Sequence, residues 1–273
     1  MQVYCILGDE RALRSKSSAM FSAILTKMGM NGAYVPFKVL PENLGKAMQS
    51  LEILNIAGAN VTVPYKEAVL PYMDVLSEGA NIIGAVNTVV CTDDGLKGYN
   101  TNAIGVMDAL SSVDFDVSDK SALVFGTGGV SKAVVFILNW LRAKTIIVAG
   151  RNFEKAEQIV KRFSGEAKPL DSIADHPMPV DVVFNTTSVS SKSESSNMDG
   201  ILKKLDLPGC QLVFDLNYGR SQNFWEEMAQ KKEIRFMDGL PALAYQARRT
   251  FALWTRAQVP PEEFLNALNE NNL

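Results

Sequence analysis

The feature that most constrains the fold is a strict alternation of short apolar runs and helical stretches after residue 102. Five runs are rich in β-branched and aromatic residues: SALVFG, TIIVAG, DVVFNTT, QLVFDLN and EIRFMDG. Such runs are typical of strands that are buried on both faces of a sheet. Because helical stretches separate them, the sequence predicts an α/β fold with a doubly wound parallel sheet over residues 103–239.

The first hundred residues also alternate, but less regularly. QVYCILG and AYVPFKV indicate strands, and residues 17–30 and 40–51 have helical apolar spacing. The β-rich run GANVTV is stopped by Pro64, and we expect a helix after it. The segment AVNTVVCTDDGLKGYN predicts two short strands joined at an Asp-Gly turn.

Two helical segments close the chain, LPALAYQARRTFALWTRA and PPEEFLNALNENN, and Pro260 and Pro261 suit the first turn of the second. The Ser-rich stretch 188–197 is predicted to be a mobile surface loop near the ligand edge of the sheet. The resulting domains are 1–102, completed by the C-terminal helices 240–273, and 103–239.

Composition excludes several classes of function. The net charge is -3 with interspersed signs, and no apolar run reaches the roughly 18 residues that span a bilayer, so neither nucleic acid nor a membrane is expected as a partner. The first residues indicate a strand and not a targeting peptide, which favours the cytoplasm. Three cysteines without CxxC spacing argue against disulfides or structural zinc, and we expect no metal. With His176 as its only histidine, the chain is not expected to use histidine catalysis.

The turn in LVFGTGGVSKAVV carries a nucleotide signal. Gly126, Gly128 and Gly129 lie between a predicted strand and a predicted helix, where backbone amides can approach a pyrophosphate. The pattern is a variant of the full G-x-G-x-x-G motif. A tight strand-to-helix turn without a ligand uses glycines too, so this turn alone leaves both interpretations open.

The end of the next predicted strand discriminates between cofactors. At the position where NAD enzymes carry an acid for the ribose there is Gly150, followed by Arg151. A guanidinium binds a 2′-phosphate that a carboxylate would repel, so NADP is favoured. Lys155 can add positive charge, although a solvated lysine explains it equally well. The predicted cofactor residues are Gly126, Gly128, Gly129, Arg151, Asn152, Lys155, Thr186 and Gly239.

Four polar clusters mark the first part of the chain: RSKSS, NVTVPYKE, AVNTV and GYNTN. Each has a simple structural explanation, since serines cap helices, asparagines occupy turns and a lysine can be a solvated charge. Taken in order with the glycine-rich turn and DGLPALAYQA, however, they resemble the shikimate dehydrogenase family over nearly the whole chain. NVTVPYKE and GYNT are the most specific segments.

The resemblance implies a substrate-binding domain, a Rossmann NADP domain and a cleft between them. It implies an NADP-dependent oxidoreductase that interconverts 3-dehydroshikimate and shikimate, in the route to chorismate and the aromatic amino acids. Lys66 matches the catalytic lysine of the family. The residues implied to bind substrate are Ser15, Ser17, Asn60, Thr62, Asn87, Tyr218 and Gln246.

This sequence also departs from the family pattern. Asn102 stands where the family carries a catalytic aspartate. Arg14 and Ser18 replace a histidine and a proline around the two predicted substrate serines. Ser188 and Ser190 replace a common proline and glycine, and Gly219 stands where an Asn-Pro pair is usual.

Asn102 keeps hydrogen-bonding capacity but carries no negative charge and accepts no proton. It is compatible with a helix N-cap, and it predicts a turnover weakened more than substrate binding. The alternatives left open are a shikimate- or quinate-binding relative that has lost catalysis, and a quinate dehydrogenase. For the assembly we expect a monomer or a homodimer.

Overall fold

The computed structural model describes residues 1–270. The chain folds into two compact units, which are described separately. The first unit is formed by Met1–Asp108 and the C-terminal segment from Leu243, and the second unit is Ala109–Ala242. Helices carry the chain across both boundaries.

The elements alternate along the chain. The strands are β1 Gln2–Gly8, β2 Gly32–Lys38, β3 Gly58–Val61, β4 Val75–Leu76, β5 Thr88–Thr92, β6 Gly95–Tyr99, β7 Ser121–Phe125, β8 Thr145–Gly150, β9 Glu166–Pro169, β10 Val182–Asn185, β11 Leu212–Asp215 and β12 Arg235–Met237. The helices are α1 Ser17–Lys27, α2 Leu44–Ile53, α3 Glu78–Ile83, α4 Asn102–Ser111, α5 Gly129–Trp140, α6 Phe153–Phe163, α7 Ser196–Lys204, α8 Phe224–Lys231, α9 Leu240–Thr255 and α10 Pro261–Glu270.

The sheet of the first unit is mixed, with strand order β2-β1-β3-β5-β6-β4. β1 runs parallel to β2 and β3, whereas β5 is antiparallel to both β3 and β6. The carboxyl ends of β1, β3 and β6 therefore meet the start of β5 at one edge of the sheet. At that edge Asn60 pairs with Thr88, and Thr88 pairs with Tyr99. We call this edge the substrate edge.

The sheet of the second unit is entirely parallel, with strand order β12-β11-β10-β7-β8-β9. This order confirms the predicted doubly wound parallel sheet. The direction in which successive strands are added to the sheet reverses between β7 and β10. β7, β8, β10 and β11 are almost completely buried, as their apolar runs predict. The carboxyl ends of all six strands lie at one edge, which we call the nucleotide edge.

Three local features differ from the expectations. No α-helix directly follows Pro64: residues 66–69 form turns before a short 3-10 helix at Leu70–Tyr72, and α3 begins only at Glu78. The Lys66 carbonyl accepts a hydrogen bond from the Val86 amide at 2.7 Å, so a tertiary contact replaces a helical one. β9 was missed because its sequence, EAKP, has no apolar run.

The third difference concerns one part of the Ser-rich stretch 188–197, most of which is exposed. Ser190 is completely buried, and its Oγ donates to Asp215 Oδ2 at 2.6 Å. Its backbone amide also donates to Glu194 Oε2 at 2.8 Å. This part of the stretch is therefore an anchored turn and not a surface loop.

An aromatic cluster joins the C-terminal helices to the first sheet. The Trp254 ring lies 4.9 Å from the Tyr4 ring and 5.2 Å from the Phe21 ring, centroid to centroid. Its indole Nε1 donates to the Val89 carbonyl at 2.9 Å. The ring lies directly over Gly58, so close that a Cβ at this strand position would overlap it. Glycine at 58 is required by this backbone-to-ring approach.

We expect Gly58→Ala to destabilise the protein by about 1–3 kcal/mol, because the new methyl group displaces the Trp254 ring. The matched control is Gly79→Ala in α3, where a Cβ meets nothing within 4 Å. In that helix alanine should be neutral or stabilising by up to about 1 kcal/mol. Urea unfolding of both variants measures the difference, and equal midpoints would contradict the packing argument.

Candidate functional site

Sheet topology brings several predicted substrate residues to the substrate edge. Asn60 lies in β3, Thr62 follows that strand, and Asn87 immediately precedes β5. The Asn60 Nδ2 donates to the Asn87 carbonyl at 3.1 Å, while its Oδ1 accepts from the Tyr34 hydroxyl at 2.8 Å. The antiparallel pairing of β3 with β5 thus joins two polar segments that are far apart in sequence.

Asn87 is the hub of the hydrogen-bonding network. Its Oδ1 accepts from the Thr101 backbone amide at 2.7 Å, which fixes the orientation of the side-chain amide. The Nδ2 group consequently faces Asn102 Oδ1 at 3.2 Å and Gln246 Oε1 at 2.6 Å. Asn87 is 3% exposed, so these bonds form in a largely dry environment.

Asn102 is the first residue of α4 and does not cap it with its side chain. Its backbone amide donates to Asn100 Oδ1 at 3.1 Å, and its own Oδ1 is occupied by Asn87 Nδ2. Asn102 Nδ2 is enclosed and has no hydrogen-bond partner within residues 1–270. A buried donor without a partner costs about 1–3 kcal/mol. A carboxylate at this position would present an acceptor where Asn102 presents this donor.

Lys66 lies in the turns after β3, next to the substrate edge. Part of its side chain is exposed, but the surrounding protein removes much of its hydration. This desolvation lowers the pKa of the Lys66 ammonium to about 8. In the described chain the ammonium has no carboxylate to reverse the effect. Lys66 can therefore exchange a proton near neutral pH.

The two predicted substrate serines lie at the start of α1. Ser15 Oγ accepts from the Ser17 backbone amide at 3.2 Å, and Ser17 is buried. Ser18 Oγ is enclosed without a partner among residues 1–270, and Arg14 is exposed. No hydrogen bond in the described chain links either predicted substrate serine directly to Asn87. Thr62 packs its methyl group against Gly8.

The glycine-rich turn of the second unit follows β7 at the nucleotide edge. Gly126 has φ +117°, and a Cβ there would overlap the Thr186 hydroxyl, so glycine is required for this close approach. Gly128 precedes α5 and has open space beside it, and Gly129 begins the helix. No side chain of the described residues caps α5. Its first backbone amides are therefore available to an anion.

The residues after β8 provide positive charge at the same edge. Arg151 and Lys155 are exposed, so their side chains reach solvent. Asn152 caps α6 through a hydrogen bond from the Lys155 amide to Asn152 Oδ1 at 2.9 Å. The structure thus gives Asn152 a clear helix-capping role. Gly150 leaves room for the Thr127 side chain, and no acid occupies this strand end.

A second polar cluster lies at the carboxyl ends of β10 and β11. Asp215 is completely buried and accepts hydrogen bonds from Asn185, Ser190, Asn217 and Asn223 at 2.6–3.0 Å. Asn217 Nδ2 also donates to the Thr187 carbonyl at 2.8 Å. The cluster therefore ties the segment after β10 to the segment that carries Tyr218.

Tyr218 is half-buried in this segment. The Gly239 amide donates to the Asn217 carbonyl at 2.9 Å, and a Cβ at Gly239 would overlap the Leu216 carbonyl. This packing gives Gly239 a structural reason to be glycine, independent of any cofactor contact.

Sequence reasoning missed three threonines at the substrate edge and the cluster around Asp215. Thr88 and Thr101 lay inside quoted motifs but received no role. Thr250 follows Gln246 by one helical turn, and this spacing on α9 was the available signal. Asp215 and Ser190 gave no signal, because their contact joins residues from separate strand ends.

No helix within residues 1–270 has the length and apolar character needed to cross a membrane. No group of three or more His, Cys, Asp or Glu side chains in this range has an arrangement that could hold a metal ion.

Family models match both parts of the chain. Residues 7–89 match the shikimate dehydrogenase substrate binding domain, and residues 108–238 match the shikimate / quinate 5-dehydrogenase family. A shikimate dehydrogenase (NADP(+)) of Caldanaerobacter subterraneus subsp. tengcongensis is 37% identical over 259 residues, which cover 93% of this chain and 91% of the relative.

Solved structures agree with these matches. The crystal structure of shikimate dehydrogenase from Aquifex aeolicus has a TM-score of 0.85 at 32% identity and covers 98% of this chain and 97% of its own. The Thermus thermophilus shikimate 5-dehydrogenase, solved in complex with NADP(H) and shikimate, has a TM-score of 0.85 at 29% identity and covers 99% of both chains. In sequence and in fold, this chain belongs to the shikimate dehydrogenase family.

Proposed function

We propose that the protein is an NADP-dependent shikimate dehydrogenase, which interconverts shikimate and 3-dehydroshikimate. The observation that carries the proposal is a lysine of lowered pKa, Lys66, in a segment that is bonded to the residue before Asn87. Asn87 in turn is hydrogen-bonded to Asn60 and Gln246 at the substrate edge. Amides suit the hydroxyl groups of a small polyol acid, and a lysine with a pKa of about 8 suits proton exchange with an alcohol oxygen. Family membership gives the same assignment.

In this proposal the first unit holds the substrate and the second unit holds the cofactor. Ser15 and Ser17 bind the substrate carboxylate, and Asn60, Thr62, Asn87 and Gln246 bind its hydroxyl groups. Tyr218 lies near the substrate and the nicotinamide. Because Gln246 Oε1 accepts from Asn87 Nδ2, the Gln246 Nε2 group faces away from Asn87 and can donate to a ligand oxygen.

The nucleotide edge fits a phosphorylated dinucleotide. The open space beside Gly128 and the uncapped amides of α5 accommodate a pyrophosphate, and the exposed Arg151 suits a 2′-phosphate. The proposed binding site for NADP also includes Thr186, Asn152, Lys155 and Gly239. NADP, when bound, supplies the hydride acceptor for oxidation of the alcohol.

Lys66 moves the proton. When shikimate is oxidised, the neutral amine accepts the hydroxyl proton, and the ammonium returns a proton to the carbonyl oxygen in the reverse direction. A pKa of about 8 makes both forms accessible. Asn102 supplies neither negative charge nor a proton acceptor to this exchange, so we propose that it attenuates turnover.

We also propose a cytoplasmic location. Cys5, Cys91 and Cys210 are all free thiols, as expected of a chain kept in a reducing compartment. Burial raises the pKa of the Cys5 thiol to about 12, which keeps it protonated and unreactive. The expectation of a monomer or a homodimer stays a prediction from the sequence.

The first test of the proposed reaction is its pH dependence. For shikimate oxidation, kcat/KM should rise with pH and level off above about 8, because neutral Lys66 is the active form. For 3-dehydroshikimate reduction, kcat/KM should fall over the same range, since the ammonium is required. Initial rates of NADPH formation and consumption measure both profiles. Lys66→Met should abolish them, and a flat wild-type profile in both directions would contradict the role of Lys66.

The second test restores the acid. We expect Asn102→Asp to raise kcat roughly 10²- to 10⁴-fold, the general magnitude for a positioned acid-base group. The carboxylate can still accept from Asn87 Nδ2, so the dissociation constant of shikimate should change much less. The new charge should also raise the pKa of Lys66 and move both pH profiles upward.

The control for this substitution is Asn43→Asp, which adds the same charge at an exposed position before α2. It should leave kcat unchanged. A restored variant that binds shikimate but turns over no faster would contradict the attenuation and support a binding protein without catalysis.

The third test concerns cofactor choice. Arg151→Gln should raise the KM for NADP by about 10- to 100-fold, because a charge-assisted contact to the 2′-phosphate is lost. The KM for NAD should change little. Lys161→Gln is the matched control, since it removes one charge near the far end of α6. If the wild-type enzyme uses NAD and NADP equally well, Arg151 does not have the assigned role.

A further inference from the structure

We propose that Thr250 is a positioning residue whose hydroxyl holds Gln246 beside Asn87 in the position that binds substrate. The inference deepens the proposed function and rests on it, because it takes Asn87 and Gln246 as substrate ligands. It follows from a group of three buried threonines, Thr88, Thr101 and Thr250, which we call the threonine triangle.

The three hydroxyl oxygens of the threonine triangle are mutually within hydrogen-bond distance. Thr88 Oγ1 lies 2.9 Å from Thr250 Oγ1 and 3.2 Å from Thr101 Oγ1, and the third side measures 3.1 Å. Thr88 and Thr250 are completely buried, and Thr101 is 2% exposed. Water therefore does not compete for these bonds.

Each corner of the threonine triangle adjoins a residue of the substrate edge. Thr88 follows Asn87, Thr101 precedes Asn102, and Thr250 lies one turn after Gln246 on the same face of α9. The triangle thus ties three chain segments together at the site. Thr250 is its only member from the C-terminal part of the chain.

The available protons show why the Thr250 hydroxyl matters. Thr101 Oγ1 already accepts from Asn87 Nδ2 at 2.9 Å, so its own proton needs an acceptor, and Thr250 Oγ1 at 3.1 Å is the nearest. The other acceptors within reach of the Thr101 proton are Thr88 Oγ1, Asn87 Oδ1 at 3.3 Å and Gln246 Oε1 at 3.4 Å.

Removing the Thr250 hydroxyl leaves the Thr101 proton with these other acceptors. Two of them are the oxygens whose bonds orient the side-chain amides of Asn87 and Gln246. An amide oxygen accepts two hydrogen bonds, so Gln246 Oε1 can take the Thr101 proton without losing its 2.6 Å bond from Asn87 Nδ2, and both amides keep their polarity. What the substitution removes are the hydroxyl bonds from Thr250 to Thr88 and Thr101, which tie α9 to β5 and to the residue before α4. We therefore expect Gln246 to lose its fixed position relative to Asn87.

Two substitutions separate this role from packing. Thr250→Val keeps the shape and removes the hydroxyl, whereas Thr250→Ser keeps the hydroxyl and removes a methyl group. We expect Thr250→Val to raise the dissociation constant of shikimate about 10-fold or more, the scale on which a site with disturbed polar groups loses discrimination. Thr250→Ser should stay within about 3-fold of wild type although it loses more packing.

Isothermal titration calorimetry with shikimate measures these constants without requiring turnover, and urea unfolding reports the packing loss in parallel. Wild-type affinity in Thr250→Val overturns the inference, and so does a serine variant as weak as the valine variant. If the valine variant does not fold, Thr250→Ala gives the same comparison against serine. Wild-type protein without saturable shikimate binding would instead defeat the proposed function itself, and this inference with it.

Discussion

The hydrogen bond from the Thr101 backbone amide to Asn87 Oδ1 determines how the substrate edge is arranged. A backbone N–H can only donate, so the side-chain oxygen of Asn87 must face it and the Nδ2 group must face Asn102 and Gln246. Asn102 and Gln246 then each direct their side-chain oxygen toward Asn87 Nδ2 and their NH₂ group away from it. One backbone donor two residues after β6 thus sets the polarity of three side chains, and the pairing of β5 with β6 brings this segment close to Asn87.

This polarity shows what an asparagine at position 102 offers in comparison with the aspartate that the family resemblance predicts there. An asparagine oxygen can accept from Asn87 in the place of a carboxylate oxygen, so the local hydrogen bond is present. The other terminal atom of the side chain is a carboxylate oxygen, an acceptor, in aspartate. In Asn102 it is Nδ2, a buried donor without a partner among residues 1–270. Under the proposed function, a carboxylate at this position would favour the ammonium of Lys66, whose pKa burial lowers to about 8. On that proposal, asparagine affects proton exchange more than the architecture of the site.

The sequence predicts the parts of the fold that depend on local pattern. The apolar runs of β7, β8, β10 and β11 and the Asp-Gly hairpin between β5 and β6 are present where the residues indicate them. Patterns failed where a tertiary contact decides the outcome. The Val86 amide donates to the Lys66 carbonyl, which would accept a helical hydrogen bond if an α-helix began there. Ser190 lies in a polar stretch that resembles a solvated loop, but its hydroxyl donates to the buried carboxylate of Asp215. Thr250 could not be identified from its neighbours, because its partners come from β5 and from the residue before α4.

Ser190 and Asn102, two residues predicted from the sequence to depart from the family pattern, differ in how their buried polar groups are satisfied. Ser190 places a hydroxyl in the interior, and Asp215 Oδ2 accepts its proton at 2.6 Å, so this polar group is satisfied inside the protein. Asn102 also introduces a buried donor, but no residue within 1–270 accepts from it. A buried polar group that the fold does not satisfy costs stability unless a ligand atom completes its bond. Ser190 is therefore explained by the folded chain alone, whereas Asn102 is explained only with an acceptor that enters the site.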